Sequence, residues 1–321
     1  MWTYIMVGFS KQYDEFCFAE YRRKENFIIR KNTANHVLTE KIQKLCCSEI
    51  INKYIEIPFK SVWMNTFKDL GLKREDKICF IFSKAQSWLL SYKDGMYIKL
   101  LRETYPNCKI ILYLRDLIQS YYRFDAEFFK CRCDGVLSYD EGDAQKYGLI
   151  YCPVPYAKVE TGKDEKDICY DVFFCGKAKD RLQDIYEVYE YLKANNLRIK
   201  FIVTDVAKQE QKYSDDIIFN KKISYTEYLS YVNKSNCILE ICQKNSRGDT
   251  LRVKEAITYG KKLVTNNQDI KNRPYYKESQ ILVYDRIEEI DTKFYCQEIM
   301  EKEQISYSFE YLTDVLEKIC T

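Results

Sequence analysis

Two continuous apolar runs, KICFIF at Lys77–Phe82 and CKIILYL at Cys108–Leu114, constrain this chain most. A strand with one wet face alternates apolar and polar residues. These runs do not, so they fit strands covered on both faces, as in a parallel sheet flanked by helices. Thr3–Gly8, Asn26–Arg30 and Asp134–Tyr139 read as further strands. Helical patterns lie between them, including a long one from about His36 to Tyr54. Pro58 opens another that ends near Gly71.

Near residue 150 the pattern breaks. Pro153 and Pro155 bracket an extended stretch, and the polar segment Thr161–Asp167 reads as a linker. A second series then predicts strands at Cys169–Cys175, Arg198–Thr204, Cys237–Ile241, Lys262–Thr265 and Gln280–Tyr284. Helices are predicted at Arg181–Asn195, Tyr225–Asn233 and Thr250–Tyr259, with a closing amphipathic helix at about Tyr307–Ile319. The 321 residues suit two domains of about 150 each. The expected boundaries are residues 1–155 and 165–305, with the closing helix in 306–321. The fold class expected is α/β: two Rossmann-like, doubly wound domains facing a cleft, with ligands beyond the carboxyl ends of the strands.

Composition excludes several classes. The charges, 51 basic against 48 acidic, are mixed along the chain and leave a net of +3, so no nucleic-acid partner is expected. No run of 18 apolar residues is present, and the N-terminal segment lacks a basic leader, so a cytoplasmic location is expected. The 14 cysteines are scattered through apolar runs and read as reduced, buried residues. With one histidine and no Asp-x-Asp pair, neither a metal nor another cofactor is expected. No two glycines are separated by one residue, and none lies five before Gly176 or Gly260. Dinucleotide and P-loop motifs are therefore absent.

The segment Cys242–Asn267 is the most informative. Ser246, Gly248 and Thr250 would lie at a helix N-terminus, whose free N–H groups suit a pyrophosphate. Arg252 adds a fork of donors, and Glu255, one turn on, is placed to accept ribose hydroxyls. The same residues also read as an ordinary capped helix, with Thr250 as cap and Glu255 solvated. In FCGKAKDR (Phe174–Arg181), Lys177, Lys179 and Arg181 follow Gly176 and suit phosphate, or else form a solvated loop capped by Asp180. As a general base the candidates are Asp116, after the buried strand, and His36, after the second strand. Asp116 reads equally as a helix cap. FAEYRRK (Phe18–Lys24) and YYRF (Tyr121–Phe124) mix aromatics with cations. Such surfaces suit sugar stacking or peripheral contact with the cytoplasmic face of a membrane.

Segment 240–267 resembles the donor-binding half of GT-B glycosyltransferases, and within them bacterial lipopolysaccharide and capsular polysaccharide glycosyltransferase-like proteins. Gly248, Thr250, Leu251, Arg252, Glu255, Ala256, Gly260, Lys261, Lys262 and Leu263 carry the likeness. Asp116, Tyr139, Asp140, Asp143, Tyr147, Gly148, Pro153 and Tyr156 extend it into the first half. The resemblance implies a nucleotide-diphosphate sugar donor held by the second domain and a glycan or lipid-linked glycan acceptor, in surface polysaccharide biosynthesis. It places Glu255 on the ribose, Leu251 in the donor segment and Tyr225 beside the nucleotide base, although Tyr225 reads equally as a helix-opening aromatic packed on the core. The family's first glutamate falls at Arg247 here. That departure and the lack of a clear base keep open a non-catalytic nucleotide- or glycan-binding protein of GT-B shape; a nucleotide-sugar epimerase is a further alternative.

Overall fold

The computed structural model describes residues 1–33, 37–47, 64–121, 124–159, 167–244, 246–297, 299, 304–309 and 311–321. The chain divides into two compact units. One comprises Met1–Pro155 with Glu310–Thr321, the other Tyr156–Phe309.

Among the described residues each unit is built on a six-stranded parallel sheet. The first sheet contains β1 (Thr3–Val7), β2 (Phe27–Arg30), β3 (Ile78–Ser83), β4 (Lys109–Leu114), β5 (Gly135–Ser138) and β6 (Ile150–Tyr151), ordered β2-β1-β3-β4-β5-β6. Its register pairs Ile5 with Phe80 and Ile81 with Ile111. β3 and Ile110–Leu114 of β4 are central and buried, as parallel strands covered on both faces must be.

The second sheet contains β7 (Tyr170–Lys177), β8 (Ile199–Thr204), β9 (Ile217–Phe219), β10 (Ser235–Glu240), β11 (Lys262–Thr265) and β12 (Ile281–Val283). Its order is β12-β11-β10-β7-β8-β9, the doubly wound order of dinucleotide-binding sheets. Val172, Phe174, Phe201, Leu239 and Val264 form its core with Ile185, Val188 and Leu192 of the helix Leu182–Ala194.

Side chains set several helix starts. Asp125, Asp140, Ser224 and Thr250 each accept a backbone N–H of the first turn of the helix they cap. The helix Ser87–Thr104 breaks at Tyr92–Gly95, where Lys93, Asp94 and Gly95 take left-handed conformations. The closing helix, Leu312–Cys320, packs on the first unit. Gly135 of β5 makes room for it: a Cβ there would lie 3.0 Å from Ile319 Cδ1.

Several expectations change. The edge strands β6 and β9 are too short to give a period in the sequence. The helix expected from His36 is described as Val37–Cys46, with the rest outside the described residues. Of the helix expected after Pro58, residues 58–63 lie outside them. The remainder holds a single 3-10 turn, Lys68–Leu70, before left-handed Gly71. The linker residues 161–166 also lie outside. The aromatics of Phe18–Lys24 form no stacking surface, because Phe18 and Tyr21 are buried in the core. The described cysteines are free. No described helix is long and apolar enough to cross a membrane.

Candidate functional site

In the second sheet β7 and β10 are neighbours although β8 and β9 intervene in the chain. The winding direction reverses there, and a crevice opens beyond the carboxyl ends of such a strand pair. β7 ends in Cys175, Gly176 and Lys177, and β10 in Glu240.

Two guanidinium groups meet at this point. Arg252, in the first turn of the helix Leu251–Thr258, donates from Nη2 to the Cys175 carbonyl and lies 5.3 Å from the centre of the Phe174 ring. Arg181, just before the helix Leu182–Ala194, donates from Nη1 to the Ile241 carbonyl and from Nη2 to the Lys177 carbonyl at 3.2 Å. A Cβ on residue 176 would run into Arg252 Nη2 and lie 3.4 Å from Arg181 Nη2. Glycine is what lets both cations close over the strand end. The Nε atoms of both arginines are buried without a hydrogen-bond partner. Backbone carbonyls orient the guanidinium groups, and among the described residues neither has a carboxylate within ion-pair distance. Burial and then the charge of Arg252 bring the Arg181 pKa down to about 10. Such a pair of guanidinium groups at a strand end, with no carboxylate in ion-pair contact among the described residues, suits a polyanion such as a diphosphate.

Thr250 caps the helix, accepting from Arg252 N–H at 3.2 Å, and donates its own hydroxyl to Glu240. Thr265 donates to the other oxygen of Glu240 at 2.6 Å. Glu240 is fully buried and is a member of the site that sequence reasoning missed. Its one signal was an acid at the end of an apolar strand. Gly248 is buried, and the loop around it is pinned by Arg273, which bonds Asp249 Oδ1 and the Arg247 carbonyl, both at 3.1 Å. Ser246 lies in that loop, its N–H on the Gln243 carbonyl, and Leu251 opens the helix.

Glu255 is not a solvated first-turn acid. It is 1% exposed, and its two oxygens accept the hydroxyls of Tyr225 (2.6 Å) and Tyr228. The Tyr225 hydroxyl also meets that of Tyr156 at 2.9 Å, and its ring stacks on Tyr228. Burial raises the Glu255 carboxyl above its ordinary value, against the pull of the two tyrosines and Arg252. A carboxylate has about four acceptor positions, and the two tyrosines take one on each oxygen.

The other candidates are placed as follows. Lys177 is exposed and pairs with Asp205 at 2.8 Å, and Lys179 is exposed on a left-handed residue. Asp180 caps nothing there; it accepts Lys244 N–H at 3.3 Å. Lys261 and Lys262 donate to the carbonyls of Asn233 and Phe294 and belong to the packing. Asp116 follows β4 in the first unit, and its cap role fails. Asp143 instead accepts the N–H of Ile118, which opens the next turn, at 2.7 Å. Asp116 borders a cavity, half exposed, with Lys11 Nζ 3.9 Å from its Oδ2. His36 lies outside the described residues.

No protein-family model matches this chain, and no curated protein does. Solved structures do. An alpha-glucosyltransferase in complex with UDP and a mismatched 13-mer DNA matches with a TM-score of 0.59 at 13% identity, over 100% of both chains. A DNA-modifying beta-glucosyltransferase, studied with and without uridine diphosphoglucose, matches at 0.50 and 16% identity, over 100% of this chain and 96% of that one. The catalytic domain of starch synthase IV from Arabidopsis thaliana, bound to ADP and acarbose, matches at 0.50 and 8% identity, over 80% of this chain and 74% of that one. With its two six-stranded parallel sheets, the chain therefore has the GT-B fold of these glycosyltransferases.

Proposed function

We propose that the protein is a glycosyltransferase that moves a sugar from a nucleoside diphosphate-sugar to a hydroxyl of a glycan or lipid-linked glycan in surface polysaccharide assembly. The convergence of Arg181 and Arg252 over Gly176 carries this reading. The diphosphate bridges the two guanidinium groups, with Lys177 adding a third cation. Leu251 and Gly248 let the donor approach the helix start, and Glu255 takes a ribose hydroxyl on the acceptor positions its tyrosines leave. Ser246, Lys179 and Tyr225 border the same strand ends.

The chemistry needs a base and a stabilised leaving group. Asp116 takes the proton of the acceptor hydroxyl as its oxygen bonds the anomeric carbon. The bond from that carbon to the diphosphate breaks, and its electron pair leaves on the nucleoside diphosphate, whose charge the arginines hold. The reaction class supported by the solved neighbours is sugar transfer from a nucleotide donor; two of them act on or bind DNA and one is a starch synthase.

The test is calorimetry with nucleosides, nucleoside monophosphates and nucleoside diphosphates, followed by turnover of nucleoside diphosphate-sugars with and without acceptors. Tighter binding of the diphosphate, and sugar transfer that requires an acceptor, are expected. Equal binding of nucleoside and diphosphate would remove the arginine pair from the donor site. Isomerised donor without acceptor would identify an epimerase instead.

A further inference from the structure

The first sheet has its own reversal point, between β1 and β3, which lie side by side with β2 outside β1. Ligands bind at such points as well. A cavity of about 310 Å³ opens there, wholly within the first unit, between the loop after β1 (Gly8, Lys11), the loop after β3 (Ser83, Lys84, Trp88) and Asp116 after β4. This is at the lower end of small-molecule sites.

Its charges are not equivalent. Arg115 shares the wall, but its guanidinium is paired with buried Asp14 and lies 4.7 Å from the centre of the Phe9 ring. Lys11 lies beside Asp116. Lys84 has no carboxylate within ion-pair distance among the described residues. Its ammonium sits 4.7 Å from the centre of the Tyr121 ring. Ser83 Oγ is buried with no hydrogen-bond partner, although it lines the cavity. Gly8 has a φ of +87°, and a Cβ there would run into Ser83 Oγ. The glycine thus makes room for that hydroxyl at the edge of the cavity. An ammonium without a carboxylate and a hydroxyl without a partner, on the wall of one cavity, call for an anionic oxygen. Trp88 supplies an aromatic wall of the kind sugars stack on.

We infer that this cavity is the acceptor site and that the acceptor is a sugar phosphate: its phosphate is held by Lys84 and the Ser83 hydroxyl, and its hydroxyl is presented to Asp116. The inference rests on the glycosyl-transfer reading and names its acceptor class. A nucleic acid is the weaker fit, since it needs a row of cations along its phosphates and a chain of net charge +3 offers two lysines here.

The full chain, first saturated with UDP to fill the arginine site, is titrated with glucose 1-phosphate and with methyl glucoside. At least tenfold tighter binding of the phosphate is expected. Lys84→Ala should abolish that preference, Lys84→Arg should keep it, and UDP affinity measured separately should stay the same. Ser83→Ala, the smaller change, should weaken glucose 1-phosphate several-fold with an unchanged melting temperature, and it decides the question if Lys84→Ala does not fold. A polyprenyl phosphate-sugar in detergent that binds tighter than glucose 1-phosphate through Lys84 assigns the lipid-linked source; weaker binding assigns the free one. Equal binding of the two soluble probes, or a preference that survives both substitutions, overturns the inference. So does displacement of glucose 1-phosphate by a short DNA duplex acting through Lys84. If UDP itself does not bind, the donor reading falls, while the Lys84-dependent preference still decides the cavity.

Discussion

Gly176→Ala is the smallest change that tests the arginine pair, because it adds one methyl group and removes no charge. The added Cβ enters the space of Arg252 Nη2 and stands 3.4 Å from Arg181 Nη2. The Arg252 guanidinium must swing away and give up its bond to the Cys175 carbonyl. Overpacking of this kind costs about 1–3 kcal/mol in stability. Alanine in place of glycine returns about 0.5–1 kcal/mol by restricting the unfolded chain, and two like charges gain distance. The net cost to stability is then about 0–2.5 kcal/mol. The loss in affinity is read separately, by its dependence on the charge of the ligand. One hydrogen bond to a charged group is worth about 1.5–3 kcal/mol, so losing one guanidinium contact to the diphosphate weakens binding roughly 10- to 150-fold. A nucleoside, which lacks that charge, should bind as before. Calorimetric titration of both ligands, with a thermal melt of each protein, separates the effects. Equal losses for nucleoside and diphosphate, or intact diphosphate affinity with a lowered melting temperature, would show that the arginines only brace the strand ends.

Asp116→Asn should lower turnover by about 10²-fold or more with donor affinity near normal. Its side chain caps no helix, so a normal rate would remove it as base. Lys177→Ala should cost less than about 1 kcal/mol in stability, since its partner Asp205 is as exposed as it is. It should weaken diphosphates more than nucleosides, and the difference should shrink as salt rises. Glu255 sets a pH dependence. Its folded carboxyl sits above the ordinary 4.5, so protonation favours the fold. Relative to Glu255→Gln, the wild type should gain stability as pH falls through the folded value and level off below about 4.5. Denaturant titrations across that window check it, and a stability difference that stays flat with pH would show that Glu255 is not held in an environment favouring its neutral form.

The sequence showed the sheet best where burial was most complete. Runs such as Lys77–Phe82 have no polar face, and the central strands β3 and β4 coincide with them to within a residue. β6 and β9, of two and three residues, exist only through pairing with a neighbour and leave no local trace. The site followed the same division. The helix start at Thr250 and the cations after Gly176 are local patterns and could be read. The tyrosine cluster on Glu255 joins residues 27, 30 and about 100 positions away, and no spacing rule reaches that far. Arg181 looked like a loop cation because its two carbonyl partners, at Ile241 and Lys177, are features of the folded backbone alone. The first-unit cavity is assembled from three strand ends, and its signs in the sequence were scattered: Gly8 at the end of the first strand, Asp116, and Tyr121 of YYRF.

The closing helix has a consequence for the order in which the chain takes shape. Leu312–Cys320 belongs to the unit that begins at Met1, yet the whole of Tyr156–Phe309 lies between them in the chain. A ribosome therefore delivers every strand of the second unit before the first unit receives its last piece. Until then the bed of that helix, around Cys79 and Gly135, stays open to water in a nascent chain whose β1–β6 segments have already emerged. The second unit has no such dependence on later sequence. It can settle while its neighbour waits, so the half synthesised first is the half completed last.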